Sequence, residues 1–178
     1  MPLPDDVTGP DDASRAVRFH RRRAEVTAEI ARLLGPRGAR APVAEPDRAA
    51  ALEHELGASY GAAGAHPWGI VAQEWPAGSV VAVTDTLHRL SRNLRQRPVW
   101  LVLAEGEPQC VPLDSDSVLD NPLGFAGLAG QELRLLDRLV PAGLLLVRRA
   151  EEGDDRWLLE VWGEPWLSAT TTAMRGDG

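Results

Sequence analysis

The pattern of apolar and polar residues in the first 34 positions is that of an amphipathic helix. Over residues 12–34 the apolar positions recur at the spacing that keeps them on one helical face. They are Phe19, Val26, Ile30, Leu33 and Leu34. Asp11 or Asp12 can cap the start of this helix, and Gly35-Pro36 ends it. We therefore predict an N-terminal helix over residues 12–34.

The segments on either side of this helix lack any apolar period. Residues 1–11 are acidic and broken by proline, which predicts a flexible tail. Residues 35–46 contain too much Gly and Pro for regular structure, which predicts a linker. Such a linker would let the helix over residues 12–34 pack as an arm or form a homodimer. We also expect a flexible C-terminal tail over residues 168–178.

A second helix is predicted to start at Asp47, which can cap it. Leu52, Leu56 and Tyr60 recur at intervals of four residues, and the glycine-rich run over residues 57–64 is expected to end the helix.

Beyond residue 68 the apolar residues form short runs separated by turn residues, as in strands. The predicted strands cover residues 69–75, 79–83, 99–104, 109–113, 144–149 and 157–162. The run over residues 99–104 is apolar on both faces, which indicates a central strand. The last four strands read as two hairpins.

Two short helices are predicted between these strands. One starts at Thr84 or Asp85 and ends at Arg97-Pro98, and the other covers residues 131–139. Residues 114–130 read as irregular. Hairpin connections favour an α+β fold in which an antiparallel sheet has its helices packed on one side. We predict that residues 47–167 form this single α+β domain.

The composition removes several classes of chemistry. The chain has 178 residues, and its 19 basic side chains are all arginine. Without lysine there is no phosphate-binding loop of the Walker type, no Schiff-base nucleophile and no pyridoxal phosphate lysine. The preference for Ala, Arg, Gly and Pro over Lys, Asn and Ile predicts a GC-rich, bacterial genome. No cofactor motif is present, so we expect no cofactor.

The net charge of −7 disfavours nucleic acid as a partner. The longest apolar run is too short to span a membrane, and the N-terminus lacks the pattern of a secretory signal. These features predict a cytoplasmic protein.

Three carboxylates follow a predicted strand end, where divalent metals are often bound: Asp114, Asp116 and Asp120. Asp and Ser are also common loop and cap residues, and the spacing does not match an EF-hand, so we assign no metal ligands here. With His88 as a general base, the same loop could serve a metal-dependent or other hydrolase.

Two nucleophile patterns are also weak. Gly57-Ala-Ser59-Tyr-Gly61 has the spacing of a nucleophile elbow, which requires a strand before the serine, whereas a helix is predicted there. Cys110 could pair with His88, although a lone cysteine on a strand is more often a core residue. We assign no catalytic residues, and the sequence leans against an enzyme.

The tryptophans and arginines offer candidate binding residues instead. Trp68, Trp75 and Trp166 lie beside prolines and outside the clear core periodicity, and tryptophan is enriched in binding hot spots. The only basic concentration lies on the first helix, where Arg18, Arg21 and Arg22 could contact an acidic partner or pair internally.

The leading hypothesis is a small acidic protein-binding module of the immunity, chaperone or adaptor type, whose protein partner is unknown. The alternatives are the hydrolase that uses Asp114, Asp116 and Asp120 with His88, and a structural subunit of a larger assembly.

Overall fold

The computed structural model describes residues 10–35, 41–151 and 153–175. In this part of the chain six α-helices accompany one six-stranded antiparallel sheet, which confirms the predicted α+β class. The sheet has the order β1-β6-β5-β4-β2-β3. The strands are β1 (Ile70–Pro76), β2 (Pro98–Leu103), β3 (Gln109–Asp114), β4 (Glu132–Asp137), β5 (Gly143–Glu151) and β6 (Asp154–Trp162). The helices are α1 (Pro10–Leu34), α2 (Pro46–Gly64), α3 (Val80–Leu94), α4 (Ser115–Leu119), α5 (Pro122–Ala126) and α6 (Trp166–Arg175).

The main core lies on one face of the sheet. Because side chains alternate along a strand, Leu101 of β2, Leu135 of β4 and Leu144 of β5 point to the same side. Five helices pack there, α1 and α3 to α6, and each contributes buried apolar side chains to the same cluster. This is the predicted layer of helices on one side.

Helix α2 packs alone on the opposite face. Ala49 and Leu52 are buried against Val102, Cys110 and Leu136 of the sheet. Further along α2, the Tyr60 hydroxyl donates a hydrogen bond to Glu160 and the Trp162 indole donates one to Ser59. The helix therefore crosses the sheet from β3 toward β6.

The N-terminal helix is confirmed and begins at Pro10. Its apolar face is buried, with Phe19, Val26 and Ile30 each no more than 2 % exposed. The part of the predicted linker over residues 36–40, like the predicted tail over residues 1–9, lies outside the described residues. The described end of the linker contains buried Val43, and the Ala44 amide donates a 2.8 Å hydrogen bond to the Cys110 carbonyl.

One predicted strand and one predicted helix were wrong. Residues 79–83 begin helix α3 instead of forming a strand. Their β-branched residues favour a strand, but Val83 continues the buried face of Leu87, Leu90 and Leu94. Residues 132–137, predicted as helical, form strand β4.

Three segments are more ordered than predicted. Helix α2 continues through the glycines to Gly64, and residues 114–130 contain α4, α5 and a 3₁₀ turn. The predicted flexible tail over residues 168–178 was wrong as far as Arg175, because α6 buries Ala169, Thr170 and Ala173. Residues 176–178 lie outside the described part.

Candidate interaction surface

Trp68 is the most exposed large apolar side chain among the described residues, at 89 %. It lies in the turn between α2 and β1, which is fixed by hydrogen bonds from the His66 amide to the Ala63 carbonyl (3.0 Å) and from the Gly69 amide to the His66 carbonyl (3.1 Å). A Cβ atom at Gly69 would lie 1.9 Å from the Ala63 carbonyl oxygen. The turn is therefore too tight for another residue at position 69, and it holds Trp68 at the surface.

A groove of about 480 Å³ lies beside the Trp68 side chain. Val71 of β1 forms one wall, and Leu167 and Thr171 of α6 form part of the other. The groove thus combines an exposed aromatic ring, aliphatic side chains and hydroxyl groups. The exposed tryptophan is the component of this groove that is typical of surfaces that bind other proteins.

Strand β1 forms an edge of the sheet next to this groove. Among the described residues it pairs only with β6, so its outer row of backbone N–H and C=O groups faces away from the sheet. The other edge strand, β3, contacts α1 and accepts the hydrogen bond from Ala44. An open edge can add a strand from another chain.

The two other tryptophans proposed from the sequence are core residues. Trp75 is 8 % exposed and Trp166 is fully buried, although neither follows a clear core periodicity in the sequence. Trp75 faces the helical layer from β1, and the Trp166 indole donates a 2.8 Å hydrogen bond to Asp137. Neither offers its ring to a partner in this structure.

The arginines of α1 are largely neutralised by the protein itself. Arg18 pairs with Glu107 at 3.4 Å, and Arg22 pairs with Glu25 at 3.5 Å and donates a 2.7 Å hydrogen bond to the Leu128 carbonyl. Arg21 is the most exposed of the three and lies 4.0 Å from Glu25. They line a cleft of about 230 Å³ against the β2–β3 turn. The predicted pairing of these arginines within the protein is present. Their partners in the β2–β3 turn, Glu105 and Glu107, were not predicted from the sequence.

The carboxylates considered for a hydrolase do not gather around His88. Asp114 and Asp120 flank helix α4, which contains Asp116. The His88 Nε2 atom lies 3.0 Å from the main-chain carbonyl oxygen of Asp120, so its contact is with the backbone. No three His, Cys, Asp or Glu side chains in the described ranges lie close enough together to bind a metal ion. The hydrolase stays a hypothesis that this geometry does not strengthen.

The two nucleophile patterns are structural. Ser59 lies inside helix α2 and accepts the Trp162 indole hydrogen bond at 2.8 Å, so no nucleophile elbow forms. Cys110 is fully buried, as expected for a core residue, and its thiol lies 3.6 Å from the Ala49 carbonyl oxygen. Burial raises the pKa of Cys110 to about 12. The thiolate needed for nucleophilic chemistry is therefore not formed near neutral pH.

The sequence reasoning missed the surface formed by α6. Trp166, Ala169, Thr170 and Ala173 repeat at helical spacing, a signal that was available, although small residues and threonines weaken it. On the outer side of α6, Ser168 and Thr172 border both the Trp68 groove and a second groove of about 350 Å³.

The comparisons with known proteins do not identify a relative. The chain matches no protein-family model, and neither a curated protein nor a solved structure is significantly similar to it. In the described part of the chain, none of the helices is both long and apolar enough to cross a membrane.

Proposed function

We propose that this chain is a small, acidic, cytosolic protein-binding module whose partner docks against Trp68 and the open edge of β1. The observation that carries the proposal is the 89 % exposure of Trp68 beside a groove lined by Val71 and Leu167. A tryptophan buried on binding contributes a large apolar area and retains an indole donor for a hydrogen bond. Recognition of a partner would explain why a tight turn holds the Trp68 side chain at the surface.

The edge strand supports the same proposal. An extended segment of a partner can pair with the backbone of β1 while one of its side chains enters the groove beside Trp68. Pro76, which has no N–H group, lies at the end of β1 away from Trp68 and limits pairing there. Immunity proteins, secretion chaperones and adaptors all act through such contacts, and nothing in the geometry selects one of them.

Affinity purification from the native host tests the proposal with three versions of the chain: wild type, Trp68→Ala and Leu139→Ala. Leu139 is a matched control, since it is 67 % exposed but lies in the β4–β5 turn. The proposal expects one protein to co-purify with the wild type and the Leu139→Ala variant and to be lost with Trp68→Ala. A chain that elutes alone in all three cases, or a partner retained by Trp68→Ala, contradicts it.

A further inference from the structure

The surface around α6 carries positive charges that pair with none of the residues the structure describes. Arg92 and Arg95, at the end of α3, and Arg175, at the end of α6, form no ion pair with any described residue. By contrast, the arginines of α1 are paired with nearby glutamates. In a chain of net charge −7, three arginines that pair with no described residue lie around one short helix.

Arg92 and Arg95 adjoin the Trp68 groove across α6, and Arg175 lines that groove itself. The second groove is lined by Arg92, Arg95 and Asn93 on one side and by α6 on the other. Ser168 and Thr172, one helical turn apart, border both grooves. The surface therefore continues from Trp68 over the hydroxyl groups of α6 to Arg92 and Arg95.

The main chain at Arg95 also differs from the usual end of a helix. Arg95 has φ of +52° and Gln96 has φ of +54°, both in the left-handed region. This position after a helix generally favours glycine, because any side chain there is strained. The chain contains 17 glycines but has an arginine here. Arg95 thus presents its charged side chain from a backbone conformation that residues other than glycine rarely adopt.

A negative group, Glu164, also borders this surface. It lines the Trp68 groove at the start of α6 and accepts hydrogen bonds from the Ser168 hydroxyl at 2.7 and 2.9 Å. It does not line the groove that contains Arg92 and Arg95. Arg92 and Arg95 therefore give the side of α6 away from Trp68 its positive character, whereas Arg175 lines the Trp68 groove together with Glu164.

We propose that the partner segment recognised at Trp68 is acidic and that its carboxylates bind Arg92 and Arg95 across α6. This inference rests on the proposed function and names the chemical class of the partner. The expected partner segment is extended. It places an apolar side chain in the Trp68 groove and Asp or Glu residues, one helix width away, in the groove lined by Arg92 and Arg95. The arginine guanidinium groups can bind these carboxylates in the bidentate mode.

The experiment is a selection of random decapeptides on the immobilised full chain, followed by affinity measurements by fluorescence anisotropy. The selected peptides are compared on the wild type, Trp68→Ala, Arg92→Ala/Arg95→Gly and Arg21→Ala/Arg149→Ala. The last variant is the matched control, because it removes the same charge from exposed arginines elsewhere. Glycine at position 95 relieves the left-handed strain, so the test variant is expected to fold.

We expect the selected peptides to be enriched in Asp and Glu. Arg92→Ala/Arg95→Gly is expected to bind them about three- to thirty-fold more weakly, because it loses two exposed ion pairs. The affinity of the wild type for these peptides is expected to fall as salt is added. The control variant is expected to bind as the wild type does.

The other outcomes separate the two proposals. Peptides that depend on Trp68 but lack acidic residues, or that bind Arg92→Ala/Arg95→Gly normally, overturn the acidic partner and leave the proposed function standing. Weaker binding by the control variant places a charged contact at Arg21 or Arg149, away from α6, and also overturns the acidic partner. Failure to select any peptide that depends on Trp68 contradicts both proposals, as does binding of single-stranded oligonucleotides in place of peptides.

Discussion

At the scale of single residues, the most consequential side chain for stability is Asp137. Its carboxylate is fully buried and accepts a bidentate pair of hydrogen bonds from Arg97, at 2.5 and 3.1 Å, and further bonds from the Trp166 indole and the Leu139 amide. Burial opposes ionisation, but the hydrogen bonds and the charge of Arg97 outweigh it and lower the pKa of Asp137. This group ties β4 to α6 and to the start of β2.

Asp137→Asn is expected to destabilise the protein by about 3–5 kcal/mol, because it leaves Arg97 without its buried partner. The comparison is Glu132→Gln, which breaks the partly exposed pair with Arg134 and should cost about 0–1 kcal/mol. Urea denaturation near neutral pH measures both. Equal effects of the two variants would show that Asp137 is not the stabilising group described.

The pH dependence of stability follows from the same carboxylate. Its pKa in the folded state is lowered from the usual value of 3.8, so its contribution is present above that value and is lost as the pH falls toward the folded-state pKa. In that window the unfolded chain takes up a proton that the folded chain does not. Below pH 4 the wild type should therefore lose more stability than Asp137→Asn, which urea denaturation across this pH range measures.

Cys110 gives a second prediction at this scale. Because the thiol is buried and its pKa is raised to about 12, we expect no reaction with a thiol reagent in the folded protein and full reaction in denaturing urea. Its contribution to stability is fully present below its usual pKa of 9.0 and is lost as the pH rises toward 12. Rapid labelling of the native protein would contradict this environment, and Cys110→Ser serves as the unreactive control.

At the scale of elements, α1 is an integral part of the core in this structure. Ile30→Ala is expected to cost about 2–5 kcal/mol, because the side chain is 1 % exposed and its removal leaves a cavity. Val17→Ala on the same helix is the matched control, since Val17 is 69 % exposed and should change stability by no more than about 0.5 kcal/mol. Thermal or urea denaturation of both variants decides whether α1 is instead an arm that packs loosely.

The elements that the sequence predicted best have an uninterrupted period. The spacing of Phe19, Val26 and Ile30 predicted α1, and the apolar run over residues 99–104 predicted a strand flanked on both sides. The β5–β6 hairpin was likewise predicted, with Gly153 at φ of +82° in its turn. In each case local spacing and burial agree, so a single sequence is sufficient.

The failure at residues 132–137 is caused by packing on two faces of the sheet. Leu133 and Leu135 of β4 face the main core, whereas Leu136 is buried beneath α2 on the opposite face. Because both faces of β4 are covered, apolar and polar residues do not alternate along it. Leu133 and Leu136 are three residues apart, which is a spacing typical of a helix. Nothing local to residues 132–137 indicates that α2 lies above them.

At the scale of the whole molecule, the two edges of the sheet are unequal. Strands β4 and β5 pair on both sides, whereas β1 pairs only with β6 among the described residues. We expect backbone amides of β4 and β5 to exchange most slowly with solvent and those of β1 fastest among the strands. Hydrogen exchange measured by mass spectrometry tests this order. Slow exchange in β1 of the isolated chain would indicate that its edge is already covered.

The candidate surface could be predicted only in part. Trp68, one of the candidate binding residues, is exposed, but the same pattern of tryptophan beside proline also selected Trp75 and Trp166, which are buried. The sequence does not distinguish them, because the difference lies in which neighbours cover each ring. Arg92 and Arg95 were not proposed, since their importance depends on α6 packing beside the end of α3.

The sequence by itself determined the α+β class, the N-terminal helix, the paired strands and the absence of lysine chemistry, because these depend on composition or on spacing within one segment. The tertiary structure decided which tryptophan is exposed, which arginines pair with other described residues and which edge of the sheet is open. Those properties depend on contacts between segments distant in the chain, such as the pairing of Arg18 with Glu107 and of Arg97 with Asp137. Local patterns cannot encode which of several similar side chains such contacts will cover.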